Sequence, residues 1–206
     1  MRAHLFDADG VIFDSEPAHA KSYVAYAQRA GLDLTEETFL TVHRGNSGKA
    51  IMHALFPDAT DEELDERTRD VNELFRREFL SNVTLTPGFK AYLSSITSAG
   101  HAVIIVSNGV KENLHAMLTA FSIDIPSISI EDFHTPKPDP AGYLKGLEIL
   151  GIGSDDGVVY EDSEVGIRAA KRAGLRVVGI ASYLSKDALK KAGADAVISD
   201  FTELHS

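Results

Sequence analysis

Six short apolar runs limit most strongly how this chain can fold: Ala3–Phe6, Ala102–Val106, Ser127–Ile130, Val158–Tyr160, Val177–Ile180 and Ala196–Ile198. They are rich in Val and Ile and do not alternate cleanly with polar residues. That pattern suits parallel strands covered on both faces. Between them lie helical stretches, Phe89–Ala99, Lys111–Ala120, Pro140–Leu150, Glu164–Ala173 and Lys186–Ala192. Several end at a glycine suited to stopping a helix, namely Gly100, Gly151, Gly174 and Gly193. Strand and helix in alternation predict a doubly wound α/β fold with a parallel, Rossmann-like sheet.

The region from Ala18 to Asn82 breaks this rhythm. It holds no convincing strand and reads as helices over Ala18–Ala30, Thr35–Val42, Gly48–Leu55 and Asp61–Leu80. Thr60 followed three residues later by Glu63 has the form of a capping box at a helix start. The expected organisation is an α/β core made of residues 1–14 and 84–206, with a helical domain inserted over 15–83. A chain of 206 residues has room for a domain of about 150 residues and a smaller one.

A net charge of −11 argues against a general nucleic-acid binder, which would show a basic face. The absence of cysteine removes disulfides, thiolate metal sites and cysteine nucleophiles. No apolar run approaches the roughly 20 residues that span a bilayer, so no membrane role is expected. The first acid, Asp7, comes too early for a signal peptide's apolar region. The expectation is a cytoplasmic enzyme.

Ligands of open α/β sheets bind outside the carboxyl ends of the strands, and four expected strand ends carry reactive side chains. The first run ends in Asp7-Ala8-Asp9-Gly10. Residues i and i+2 leave a strand on the same side, and two carboxylates so close need a cation between them or a retained proton. That points to a hard metal such as Mg²⁺, an acid/base pair, or both, although Asp and Gly also form plain turns. The second end is Ser107-Asn108-Gly109, just before a helix, where a hydroxyl and backbone N–H groups would cradle phosphate; an ordinary helix cap has the same look. The third is Lys137, stiffened between Pro136 and Pro138, or simply a solvated lysine in a Pro-rich loop. The fourth is Glu161-Asp162, which would complete an oxygen-rich Mg²⁺ site or serve as an acidic helix cap.

Taken together, in this order and spacing, the four motifs strongly resemble the haloacid dehalogenase superfamily over nearly the whole chain. The helical insert resembles that family's C1 cap. Asp14-Ser15-Glu16 and Glu161–Ala170 look most like the branch of β-phosphoglucomutases and sugar-phosphate phosphatases. The resemblance implies that Asp7 attacks phosphorus to form an aspartyl-phosphate. Asp9 would protonate the leaving oxygen and then activate water. Mg²⁺ would be held by Asp7, the Asp9 carbonyl and Asp162, with Glu161 acting through water or in support. Ser107, Asn108 and Gly109 would hold the phosphoryl oxygens and Lys137 would balance their charge.

In the insert, His43–Lys49 resembles the family's specificity loop, with Arg44, Asn46 and Lys49 as candidate substrate contacts. Glu16 in the hinge and His19 beside it are further candidate substrate contacts, and in the resembling mutases a His at this point assists the acid/base aspartate. Each is equally readable as part of a solvated helix face. The expected reaction is Mg²⁺-dependent hydrolysis of a small phosphorylated metabolite, a sugar, sugar-acid or polyol phosphate, by a monomer. A mutase of the β-phosphoglucomutase type is the alternative. It is weakened because Gly48 stands where the resembling mutases carry a phosphate-gripping arginine. A phosphonatase, which lacks Asp9, and a non-enzymatic metal-dependent binding protein are the more distant readings.

Overall fold

The computed structural model describes residues 2–43 and 47–204. Its largest element is a six-stranded sheet built from β1 (Ala3–Phe6), β4 (Ala102–Val106), β5 (Ser127–Ile128), β6 (Gly157–Glu161), β7 (Arg176–Ile180) and β8 (Ala196–Ile198). The strand order is β5-β4-β1-β6-β7-β8, and every neighbouring pair is parallel. This is the doubly wound α/β fold. A second, two-stranded sheet pairs β2 (Phe13–Asp14) antiparallel with β3 (Thr84–Leu85).

The order of the strands decides where chemistry can sit. After β1 the sheet grows in one direction through β4 and β5, and then in the other through β6, β7 and β8. The connections leaving β1 and β6 therefore diverge and open a crevice between their carboxyl ends. In register, Phe6 lies opposite Ile105 and Tyr160, so Asp7 follows β1 beside the end of β6. The Asp7 amide extends the ladder by donating to the Tyr160 carbonyl at 3.0 Å.

Side chains alternate between the two faces of β1, and both faces are covered. Leu5, Ile104, Val106 and Val159 pack with Tyr143 and Leu147 from α8 (Ala141–Leu150) and with Ile167 and Ala170 from α9 (Glu164–Arg172). His4, Phe6 and Tyr160 turn to the opposite face. There Phe6 stacks on Tyr160 with ring centroids 4.5 Å apart and meets Phe89 of α5 (Phe89–Ser98) edge-on at 5.5 Å. Two-sided burial is the reason the strands read as continuous apolar runs.

The chain divides into two compact units, one of Met1–Asp14 with Thr84–Ser206 and one of Ser15–Val83. The second is helical, with α1 (Glu16–Arg29), α2 (Glu36–Val42), α3 (Gly48–Leu55) and α4 (Asp61–Leu74). Its core gathers Tyr23, Phe39, Ile51, Met52, Leu64 and Val71. The capping box at Thr60 and Glu63 is formed in both directions. The single helix expected over Asp61–Leu80 is in fact three pieces, because α4 runs into a π-turn at Phe75–Phe79 and a 3₁₀ turn at Leu80–Asn82. The run Ser127–Ile130 is also shorter as a strand than expected. It ends at Ile128, because Ser129 caps α7 (Ile130–Phe133) reciprocally with Asp132. Among the described residues, no helix is long and apolar enough to cross a membrane.

Candidate active site

A chain of charge-assisted hydrogen bonds joins the ends of β1, β4 and β6. The Lys137 ammonium donates to Asp7 Oδ1 at 2.6 Å, to Glu161 Oε1 at 2.7 Å and to the Val106 carbonyl at 3.1 Å. These three acceptors match the three protons of the ammonium. The lysine side chain is 4% exposed and the Glu161 side chain 0%, whereas Asp7 keeps 14%. The cluster therefore opens toward solvent only on its Asp7 side.

Glu161 is fully engaged by this chain. Oε1 also accepts from the Tyr143 hydroxyl at 2.7 Å. Oε2 accepts from the amides of Asp162 and Ser163, each at 3.2 Å, and from the Ser163 hydroxyl at 2.9 Å. A buried carboxylate is stable only when satisfied in this way. Gly166 on α9 makes room for it, since a β-carbon there would overlap the carboxylate.

Burial shapes the charge state of the cluster. Burial pushes the Asp7 carboxyl up to about 7; Lys137 pulls against this rise, while Glu161 and Asp9 add to it. Burial works against the Lys137 ammonium, yet Asp7 and Glu161 hold its pKa above the ordinary value, so it stays protonated. Burial, with the charge of Glu161 alongside, keeps the Tyr143 hydroxyl well above its usual range, and it remains a neutral donor.

Oxygens of Asp7, Glu161 and Asp162 lie within 4.8 Å of one another. An all-oxygen set suits a hard divalent cation. With Glu161 already carrying five donors, Asp7 and Asp162 are the residues with capacity to hold one. Such a cation would draw the Asp7 carboxyl back toward its ionised form. The Asp9 carboxylate is directed elsewhere: its Oδ2 lies 3.5 Å from where a β-carbon on Gly109 would stand, on the Ser107 side. The structure thus separates two aspartates that the sequence places two positions apart. Gly10 makes the turn possible, with φ of +74° and no space for a β-carbon against Asp162.

Ser107 is buried at the end of β4, and its Oγ accepts from the Gly109 amide at 2.9 Å. That leaves the hydroxyl proton to be donated to an anion. The Asn108 side chain serves the scaffold, its Oδ1 accepting from the Lys137 amide at 3.1 Å and holding the lysine loop to the β4 end. The Lys137–Pro138 bond is cis.

In the helical unit, Lys49 pairs with Asp61 at 3.3 Å and Asp65 at 3.1 Å. The His19 ring stacks on Phe75 with centroids 4.1 Å apart. Glu16 sits in the first turn of α1. Arg44 and Asn46 lie outside the described residues. Tyr143, the Ser163 contact to Glu161 and the packing role of Gly166 were not anticipated from the sequence. Only Gly166, a glycine inside a helical pattern, carried a signal.

The model of the haloacid dehalogenase-like hydrolases matches residues 4–180. The chain is 28% identical to hexitol phosphatase A of Escherichia coli over 181 residues, 87% of this chain and 82% of that protein. It is 26% identical to a β-phosphoglucomutase of Mycobacterium bovis over 247 aligned positions, 99% of this chain and 91% of that protein. Among solved structures it resembles a HAD hydrolase, family IA, variant 3, from Entamoeba histolytica, with a TM-score of 0.88, 25% identity and coverage of 98% of this chain and 95% of that one. The chain belongs to the haloacid dehalogenase-like hydrolase family.

Proposed function

We propose that this protein is a Mg²⁺-dependent phosphatase of small phosphorylated carbohydrates, sugar or polyol phosphates, working through an aspartyl-phosphate on Asp7. The observation that carries the reading is the Lys137 ammonium fixed between Asp7 and Glu161, beside a second carboxylate, Asp162, within reach of the first. Phosphoryl transfer is catalysed mainly by positioning and charge neutralisation, and this cluster is arranged for both.

Asp7 attacks phosphorus, and its new bond to phosphorus replaces the ester P–O bond. Asp9 gives its proton to the departing alkoxide. Asp9 then takes a proton from water as that water attacks phosphorus, releasing phosphate and regenerating the Asp7 carboxylate. Ser107 and the backbone amides of Asn108 and Gly109 hold the phosphoryl oxygens, and Lys137 neutralises the charge they share with Asp7. Asp7, the Asp9 carbonyl and Asp162 would hold Mg²⁺, which would supply further charge neutralisation there, and Glu161 fixes the lysine. Residues 15–83 take the part of a cap, and the choice of sugar falls to that helical unit.

Similarity to a β-phosphoglucomutase supports a mutase as the second reading, since both reactions share the aspartyl-phosphate. Hydrolysis is favoured by Gly48. A β-carbon there would stand 2.9 Å from Thr68 Cγ2 and 3.1 Å from the Tyr23 hydroxyl, so the position is packed against the helical core and offers no distal phosphate grip. The test is a Mg²⁺-dependent phosphate-release screen over hexose, pentose and hexitol phosphates, with isomerisation of hexose 1-phosphate followed in parallel. Phosphate release without isomerisation, abolished by Asp7→Asn, is the expected result. Isomerisation that needs a bisphosphate primer overturns hydrolysis, and no turnover of any ester overturns both readings.

A further inference from the structure

A fifth strand-end loop reaches the catalytic turn. After β7 the chain runs through Ala181-Ser182-Tyr183-Leu184-Ser185 into α10 (Lys186–Ala192). Its two ends are anchored. The Ala181 amide donates to the Ile198 carbonyl at 2.8 Å, Leu184 packs against the main core, and Ser185 caps α10 by accepting from the Ala188 amide at 3.2 Å.

Between those anchors, two side chains grip the segment that carries Asp9. The Ser182 hydroxyl donates to the Gly10 carbonyl, and the Tyr183 hydroxyl donates to the Asp14 carboxylate. The Tyr183 ring covers Gly10 closely enough that a β-carbon there would lie 3.2 Å from Cε2. Within the turn itself, the Gly10 amide donates to the Phe13 carbonyl at 2.7 Å, and the amides of Ile12 and Phe13 donate to the Ala8 carbonyl at 2.9 and 3.0 Å. The turn is thus closed internally and pinned externally at two points, one immediately after Asp9 and one at Asp14.

We infer that Ser182 and Tyr183 are positioning residues that set the Asp9 carboxyl for proton transfer to the leaving group. This rests on the phosphatase reading above. A proton donor must lie within hydrogen-bond reach of the departing oxygen, and displacements of about 1 Å in such groups reduce rates by up to roughly a hundredfold. The Gly10–Val11 peptide, one residue beyond Asp9, is held through its Gly10 carbonyl by a hydroxyl from the anchored loop after β7, which restrains the turn against rotation about Gly10, the residue in it most able to rotate.

The test compares Ser182→Ala, Tyr183→Phe and the double variant on two esters, a hexitol phosphate and p-nitrophenyl phosphate. Nitrophenolate departs without needing a proton, whereas an alkoxide must receive one. Loosening Asp9 should therefore lower kcat/KM for the alkyl ester about tenfold more than for the aryl ester. Hydrogen exchange of the Ile12 and Phe13 amides should rise in the same variants, with the thermal midpoint reporting that the fold is intact. Equal losses on both esters, or no loss with faster exchange, overturn the positioning role while leaving the phosphatase reading standing. Failure of the wild-type protein to turn over any ester of the phosphate-release screen overturns the phosphatase reading, and this inference with it.

Discussion

Gly166 leaves no room for a β-carbon beside Glu161: one added at that position would overlap the carboxylate group. The α9 helix therefore presses its backbone directly against the buried acid that holds Lys137. Gly166→Ala should destabilise the protein by about 2 kcal/mol or more through overpacking, even though alanine is intrinsically the better helix former. Thermal unfolding reads the stability, and phosphate release should fall as the lysine loses its seat. A variant as stable as the parent would show that Glu161 can move aside at little cost.

Lys137 and Glu161 should behave as a coupled pair. Lys137→Met leaves Glu161 buried without its cation, which costs about 3–5 kcal/mol. Adding Glu161→Gln removes the stranded charge, so the double variant should recover part of that stability. Activity should not recover, because the contact to Asp7 at 2.6 Å is still missing. Denaturant unfolding and turnover, measured on the four proteins of the cycle, separate the two roles. Additive stability losses would show that the pair is not coupled.

His4 makes stability depend on acid. It is buried with its Nε2 at 2.8 Å from His101 Nδ1 and its Nδ1 at 3.1 Å from the Tyr160 hydroxyl, with Tyr92 also alongside. Burial, with His101 and Arg2 adding to it, lowers its pKa from 6.5 to about 4. Between those values the unfolded chain binds the proton and the folded one does not. Stability contributed by neutral His4 is therefore complete above about pH 6.5 and is lost as pH falls toward 4, by at most about 3 kcal/mol. Denaturation midpoints at pH 7.5 and 4.5 should differ less in His4→Gln than in the wild type. An unchanged difference would assign the acid sensitivity to other groups.

Lys49 is 45% exposed and paired with two α4 carboxylates. Exposed pairs contribute little to stability because solvent screens them, so Lys49→Ala should barely move the thermal midpoint. While it stays with Asp61 and Asp65 it is not available to substrate, and kcat/KM should change less than about threefold. A KM increase of tenfold or more would mean that the lysine leaves α4 to bind the phosphorylated sugar.

Much of the fold was legible because its causes are local or periodic. Runs such as Ala102–Val106 announce strands buried on two faces, and Thr60 with Glu63 announces a helix start. The breaks were less legible. The π-turn at Phe75–Phe79 and the early end of β5 at Ile128 depend on competing hydrogen-bond partners, which an apolar pattern does not encode. Of the site, the acids and Ser107 were visible as residue types at expected strand ends, whereas Lys137, expected at a strand end too, lies in the loop between α7 and α8 and reaches the site from there. Tyr143 was hidden inside an ordinary helical pattern, because its purpose is set by Glu161 eighteen residues later in the chain.

The sequence by itself determined the layered α/β class, the helical insertion and the motifs that mark the family, since periodicity, capping chemistry and short reactive motifs are properties of neighbours along the chain. Only the tertiary structure decided what each charge faces. Asp7 and Asp9 are two positions apart in sequence, yet one meets Lys137 and the other lies beside Gly109. The difference lies in where parallel strands β1, β4 and β6 bring residues more than a hundred positions apart, and in the burial that makes each contact strong.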